Sequence, residues 1–272
     1  MEMPLPIKTS LQGVCPMKKI MLVTGAANGT GYGIAQKFAK EGWDVCITSR
    51  DAARAQESAN QLMQEFPGVQ AFGYAYAKPD EAVAVSILDS LEEKGYQVEA
   101  LVANAANQGI GHDLLNVSFE EWSAVIETNV FMHFILMREA ARRMVKYGIQ
   151  GAMVICGSNT MRRPLPQRSS YCTSKAALGT MAKAFAVDLG QYKIRVNYLA
   201  IGSIKTSRWD SLSEEVHQVR LARAPLKDLA LFEDVANAVY FLCSDQARII
   251  TGAELYADAG VDAAFPCGAD NG

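Results

Sequence analysis

The sequence predicts an α/β fold: a doubly wound, mostly parallel seven-stranded sheet with helices on both faces, in a single domain. Two features carry this expectation. Short apolar runs alternate with longer amphipathic segments, the order that yields parallel strands joined by right-handed helical crossovers. The runs are also nearly continuous in hydrophobicity, as in KIMLV at 19–23 and AMVIC at 152–156, which suits strands buried on both faces. With 272 residues, half of them apolar and a fifth charged, the chain suffices for one large-cored domain and is marginal for two.

Taken in order, strands are expected at 19–23, 45–48, 69–74, 100–103, 152–156, 194–200 and 254–257. The third, sixth and seventh are the weaker signals. Helical apolar spacing covers 32–40, 52–65, 81–93, 119–146, 173–189 and 234–243. Asp51 stands where it would cap the second helix, and Ser118 with Glu121 reads as a capping box opening the fourth. Residues 204–227 break the alternation and read as a lid over a site. Residues 1–17 are an expected N-terminal extension, 18–262 the folded domain and 263–272 a C-terminal tail.

Several function classes are disfavoured. A formal net charge of −3 points neither to nucleic acid nor to a membrane surface. The six cysteines stand singly, with no C-x-x-C pair, and His112, His133 and His217 do not cluster with acids. No metal site is therefore expected, and the cysteines read as reduced thiols. The N-terminus lacks a secretory apolar core, and no apolar run is long enough to span a bilayer. A cytoplasmic protein with no nucleic-acid or membrane partner is the expectation.

The first strand runs into Thr24-Gly25-Ala26-Ala27-Asn28-Gly29-Thr30-Gly31 and then a helix. Strand, tight glycine turn and helix N-terminus together suit a pyrophosphate, because the first turn of a helix offers unpaired N–H groups and a positive dipole end. Gly25, Asn28, Gly29, Thr30 and Gly31 are thus candidate dinucleotide contacts. At the end of the second strand, a carboxylate would select NAD by binding its ribose 2′-hydroxyl. Ser49 and Arg50 stand there instead. An arginine attracts a 2′-phosphate, so NADP(H) is the expected cofactor.

Tyr171 and Lys175 lie four residues apart on one helix face. A phenol ordinarily titrates near pH 10, too high for efficient acid–base work at neutrality. A neighbouring ammonium favours its phenolate. Upstream, Ser158 follows an apolar strand in Val154-Ile155-Cys156-Gly157-Ser158, at the carboxyl end where doubly wound sheets place ligands.

Over about residues 18–262 the chain resembles the short-chain dehydrogenase/reductase family. Thr24 to Gly31 resembles the family's T-G-x-x-x-G-x-G, and Tyr171 to Lys175 its Y-x-x-x-K. Ser158 stands at the family's serine offset and Asn129 at its helix asparagine. Residues 250–260 look like its last strand and turn. The resemblance implies a Rossmann fold of the type shared by 3-oxoacyl-carrier-protein reductases and sugar or polyol dehydrogenases. It implies that Tyr171 exchanges a proton with the substrate oxygen. Lys175 lowers the tyrosine pKa and binds the nicotinamide ribose. Ser158 holds the substrate oxygen, and Asn129 supports a water linking Lys175 to solvent. It further implies cofactor contacts from Asn104, Ile204 and Thr206, and a homo-oligomer, a tetramer or dimer, paired through the helices at 119–146 and 173–189 and the last strand.

The chain departs from the family pattern at four places. The N-N-A-G after the fourth strand reads Ala103-Asn104-Ala105-Ala106, the acid expected near the adenine is Tyr76, and the P-G after the sixth strand is Ile201-Gly202. These changes touch the adenine contacts and the lid rather than the Ser158, Tyr171 and Lys175 set. Arg162, Arg163 and Arg168, with Lys205 and Arg208 in the lid, are solvated loop charges, partners of acids elsewhere, or holders of an anionic group on the substrate. The expected activity is hydride transfer between NADP(H) and a small ketone or secondary alcohol, a 3-oxoacyl thioester or a sugar derivative. The competing reading is a non-catalytic NADP(H) sensor or scaffold on the same fold.

Overall fold

The computed structural model describes residues 17–109, 111–206, 209 and 211–264. Among these, β1 (Lys18–Val23), β2 (Asp44–Ser49), β3 (Ala71–Ala75), β4 (Tyr96–Ala103), β5 (Ala152–Cys156), β6 (Arg195–Ile201) and β7 (Glu254–Ala257) form one sheet in the order β3-β2-β1-β4-β5-β6-β7. Every pairing is parallel, so the sheet is parallel throughout rather than mostly so. The helices are α1 (Gly29–Lys40), α2 (Ala52–Glu65), α3 (Glu81–Glu93), α4 (Phe119–Ile126), α5 (Met132–Tyr147), α6 (Ser169–Leu189), α7 (Glu214–Ala222) and α8 (Phe232–Cys243).

The two-residue period of a strand builds both halves of the core. Ile20 and Leu22 of β1 join the layer packed on α3, α5 and α6, whereas Met21 and Val23 join the layer packed on α1, α2 and α8. Helix starts follow local chemistry. Asp51 accepts from Arg54 N at 3.0 Å, Asp80 from Val83 N at 3.1 Å, and Ser118 and Glu121 complete a reciprocal capping box.

The structure departs from the sequence pattern in four instructive places. Strand β4 begins four residues before the apolar run, because Gln97 and Glu99 alternate with buried Tyr96 and Val98 and hide the strand from a search for continuous hydrophobicity. The helix expected at 119–146 is broken: one π turn, Glu127–Phe131, separates α4 from α5. Helix α6 starts at Ser169, so Tyr171 lies in its first turn. The expected lid contains α7, none of whose residues is buried. Arg208, Cys15 and Cys267 lie outside the described residues.

The order of strands reverses between β1 and β4. Gly25 follows β1 there with φ +62°, and a Cβ on it would come within 2.7 Å of Ala105 Cα, just past β4. Only glycine fits this close approach of two strand ends.

Candidate active site

A cleft of about 710 Å³ opens at this reversal point, where doubly wound sheets bind nucleotides. One wall is the glycine-rich turn and the start of α1: Gly25, Asn28, Gly29, Thr30 and Gly31 all line it. Asn28 occupies the N-cap without a side-chain hydrogen bond, so it leaves the N–H groups of the first turn to other partners. The space beside Gly29, whose φ is +57°, is empty within 4 Å of where a Cβ would stand. At one end stand Ser49, Arg50 and Arg54. Asp51 lines the same end, but its carboxylate caps α2, as its position suggested. Ser49 donates to Asp51 O at 2.7 Å, which fixes this corner. Volume, polar walls and a helix N-terminus fit a dinucleotide, and Arg50 and Arg54 stand together at the Ser49 end.

The turn is braced by Asn104, whose amide donates to Thr24 O at 2.9 Å and Gly25 O at 3.2 Å. Thr24 Oγ1 accepts from Asn104 N at 2.9 Å and Ala105 N at 3.0 Å. With both lone pairs used, its proton is directed to His133 Nε2 at 3.3 Å. The other ring nitrogen, Nδ1, lies 2.8 Å from Asn129 O and therefore carries the proton. Burial, with the Lys175 ammonium nearby, holds His133 down at about 3. Tyr76 stands in place of the family's acid. It is buried, lines the cleft and donates to Met132 O at 3.0 Å; burial and Asp80 push its phenol upward. Ala103 is buried in β4 and Ala106 lines the cleft, while Ile201 extends β6 opposite Ala257.

Asn129 sits inside the π turn and is fully buried. π turns recur at functional sites because the extra residue redirects one side chain. The amide of Asn129 accepts from Asn107 N at 2.7 Å and donates to Asn107 O at 2.9 Å and Ser174 Oγ at 2.8 Å. Both of its N–H groups are thus spent on protein atoms. Asn107 lines the cleft, and Ser174 belongs to α6, so Asn129 links the cleft wall to the helix of Tyr171 and Lys175.

Lys175 is buried, donates through Nζ to Cys156 O at 2.9 Å, and holds its ammonium 5.5 Å from the centre of the Tyr171 ring. Cys156 ends β5, and Ser158 follows two residues later. Ser158 Oγ accepts from Thr160 N at 3.2 Å and Thr160 Oγ1 at 3.0 Å. Ser158, Tyr171 and Lys175 do not line the 710 Å³ cleft itself; the helix of Tyr171 and Lys175 is joined to the cleft wall through Ser174, Asn129 and Asn107. Burial pushes the Cys156 thiol up to about 12. The four described cysteines are free thiols.

Ile204 bridges Ala230, and Thr206 O accepts from Trp209 N at 2.7 Å; neither lines the cleft. Arg162 lies 3.3 Å from Asp262 and over the Tyr256 ring. Arg163 is held by Asp262 and by Ala264 O. Arg168 donates to Gln108 O at 3.3 Å. These loop arginines fasten the segment after β7 and the loop after β4, the protein-partner alternative raised by the sequence. Arg54, Thr24, His133, Ser174 and Tyr198 are site residues that the sequence did not single out. Thr24 opens the glycine-rich motif, and Arg54 stands four residues after Arg50; the other three carried no such signal.

The fold and cleft define a Rossmann-type dinucleotide-binding protein. A family model described as enoyl-(acyl carrier protein) reductase matches residues 25–262. Glucose 1-dehydrogenase 2 of Bacillus subtilis (strain 168) is 30% identical over 244 residues, covering 89% of this chain and 94% of that protein. The 3-oxoacyl-[acyl-carrier-protein] reductase FabG of Escherichia coli (strain K12) is 33% identical over 245 residues, 89% of this chain and 97% of that protein. Among solved structures, 3-ketoacyl-(acyl-carrier-protein) reductase from Brucella melitensis, complexed with NADH, superposes with a TM-score of 0.81 at 29% identity, covering 93% of this chain and 100% of that one. A putative gluconate dehydrogenase from Agrobacterium tumefaciens gives 0.85 at 26% identity, covering 92% and 98%. The chain belongs to the short-chain dehydrogenase/reductase family and is an oxidoreductase of that family, which binds nicotinamide cofactors.

Proposed function

We propose that the chain is an NADP(H)-dependent enzyme that interconverts a ketone and a secondary alcohol. The observation that carries this reading is the state of the Ser158 hydroxyl. Both its lone pairs accept from Thr160, so its own proton is the function left to offer, at the end of β5 where Lys175 Nζ is also tied. A substrate carbonyl oxygen accepts that proton as a hydrogen bond and is held as negative charge develops on it. Tyr171 transfers its phenolic proton to the same oxygen in reduction and removes it in oxidation. The Lys175 ammonium stabilises negative charge on the Tyr171 oxygen, and its remaining N–H groups hold the nicotinamide ribose hydroxyls. Asn129 keeps this helix in register with the cleft, and the water it holds through Oδ1 connects Lys175 to solvent. The bound nicotinamide supplies or accepts the hydride.

Gly25, Asn28, Gly29, Thr30 and Gly31 hold the pyrophosphate, with Asn104 bracing the turn. Arg50 and Arg54 hold the 2′-phosphate, with Ser49 beside them. Ile204 and Thr206, in the segment after β6, contact the nicotinamide side of the cofactor. The relatives' names favour acyl-thioester and polyol carbonyls as substrate classes. With Arg162 and Arg163 fastened to Asp262, an anionic substrate would depend on Arg208 or on release of that segment. Exposed Phe119, Phe131, Phe134 and Val187 on α4 to α6 fit a homo-oligomer formed through those helices. Among the described residues no helix is long and apolar enough to cross a membrane.

The reading is tested by following NADPH oxidation over 3-oxoacyl thioesters, keto-sugars and simple ketones. At least one class should turn over, and Ser158→Ala and Tyr171→Phe should each lose most of that activity.

A further inference from the structure

Ser158 and Lys175 come from different elements, one from the loop after β5 and one from α6, and the Tyr198 phenol reaches both. Tyr198 of β6 is fully buried. Its Oη accepts from Ser158 N at 2.8 Å and lies 3.1 Å from Lys175 O and 3.3 Å from Ser158 O. The last ladder bond between β5 and β6 is made by Gly157 N to Leu199 O at 2.8 Å. The next N–H, that of Ser158, has therefore run off the sheet, and the phenol receives it. The ring reaches this position through the space that Gly157 leaves, since a Cβ there would overlap it. Burial raises the phenol above its ordinary range, so it stays protonated and keeps donating to a main-chain carbonyl.

We infer that Tyr198 is a positioning residue that sets the Ser158 hydroxyl against the Tyr171–Lys175 helix. Its phenol accepts from the serine main chain and donates to the lysine main chain, clamping the end of β5 to α6. The inference rests on the proposed roles of Ser158 and Tyr171. A substrate oxygen must meet both hydroxyls at once, and small misplacements of reacting groups lower turnover steeply. The phenol's hydrogen bonds run to Ser158 and Lys175, not to the glycine-rich turn, so its loss should leave cofactor binding alone.

Tyr198→Phe removes one oxygen and keeps the ring. It should lower kcat about tenfold, while the NADPH dissociation constant stays within about twofold. On a Ser158→Ala background it should cost nothing further, because the group it positions is gone. Hydrogen exchange supplies a readout on the unaltered protein: the Ser158 amide should be protected, and Tyr198→Phe should release it. Wild-type kcat in Tyr198→Phe, an undiminished loss on the Ser158→Ala background, or an unprotected Ser158 amide in the wild type each overturns the inference. Ser158→Ala at full activity would instead overturn the assignment of the site, and this inference with it.

Discussion

Asn129, on a π turn, donates through Nδ2 to Ser174 Oγ at 2.8 Å, and Ser174 Oγ donates in turn to Tyr171 O at 2.7 Å. One asparagine thereby ties the cleft wall at Asn107 to the first turn of the helix that carries the proposed base. Ser174→Ala leaves a buried Asn129 N–H without its acceptor. It should destabilise the protein by about 1–2 kcal/mol, read from urea unfolding, and lower kcat severalfold. A variant with unchanged stability and turnover would show that this link positions nothing.

On the proposed function, cofactor choice rests with Arg50 and Arg54, which line the cleft beside Ser49. Arg50→Ala should weaken NADPH binding about tenfold, the worth of one charge-assisted contact to a phosphate, and leave NADH binding nearly unchanged. Arg50→Glu combined with Arg54→Glu should reverse the preference. Fluorescence titration with both cofactors checks this. Equal weakening of NADPH and NADH would place the arginines elsewhere than at a 2′-phosphate.

His133 gives the fold an acid sensitivity of defined sign. Its folded pKa of about 3 lies below the ordinary 6.5, so the unfolded chain binds the extra proton. The contribution of this group is complete above pH 6.5. As pH falls toward its folded value, it is lost at about 1.4 kcal/mol per pH unit. His133→Leu should be less stable at pH 8, because Thr24 and Asn129 lose a partner. Its stability should then fall less steeply than that of the wild type below pH 6, by about one proton in the urea-midpoint profile. Parallel profiles would contradict a buried neutral imidazole.

Association is assigned to the outer faces of α4 to α6. Phe119 is 80% and Val187 79% exposed in the single chain, so replacing them should disturb the fold little. Phe119→Glu with Val187→Glu should shift the sedimentation coefficient from that of an oligomer to that of a monomer. A wild-type chain that sediments as a monomer would remove the proposal.

The fold was legible because parallel strands buried on both faces leave unbroken apolar runs, and because glycine, tyrosine and lysine stood at fixed spacings. What stayed hidden has a common physical cause. The π turn at Asn129 inserts one residue without changing residue type, so the helix at 119–146 reads as continuous. Tyr198 and His133 act through atoms far apart in sequence, and each sits in an element where a large buried side chain looks like packing. Arg162 and Arg163 looked available because Asp262, their partner, lies about a hundred residues downstream.

The central claim is that the Tyr171 phenol delivers the proton in an NADPH-driven reduction. The most direct measurement is single-turnover NADPH oxidation by wild type and Tyr171→Phe, on the best carbonyl from the substrate screen, with NADPH affinity measured in parallel. Loss of about three orders of magnitude in rate, with affinity retained, is the predicted result. Full turnover by Tyr171→Phe would contradict the mechanism. A wild type that binds NADPH but reduces none of the carbonyls would return the chain to the class of cofactor sensors.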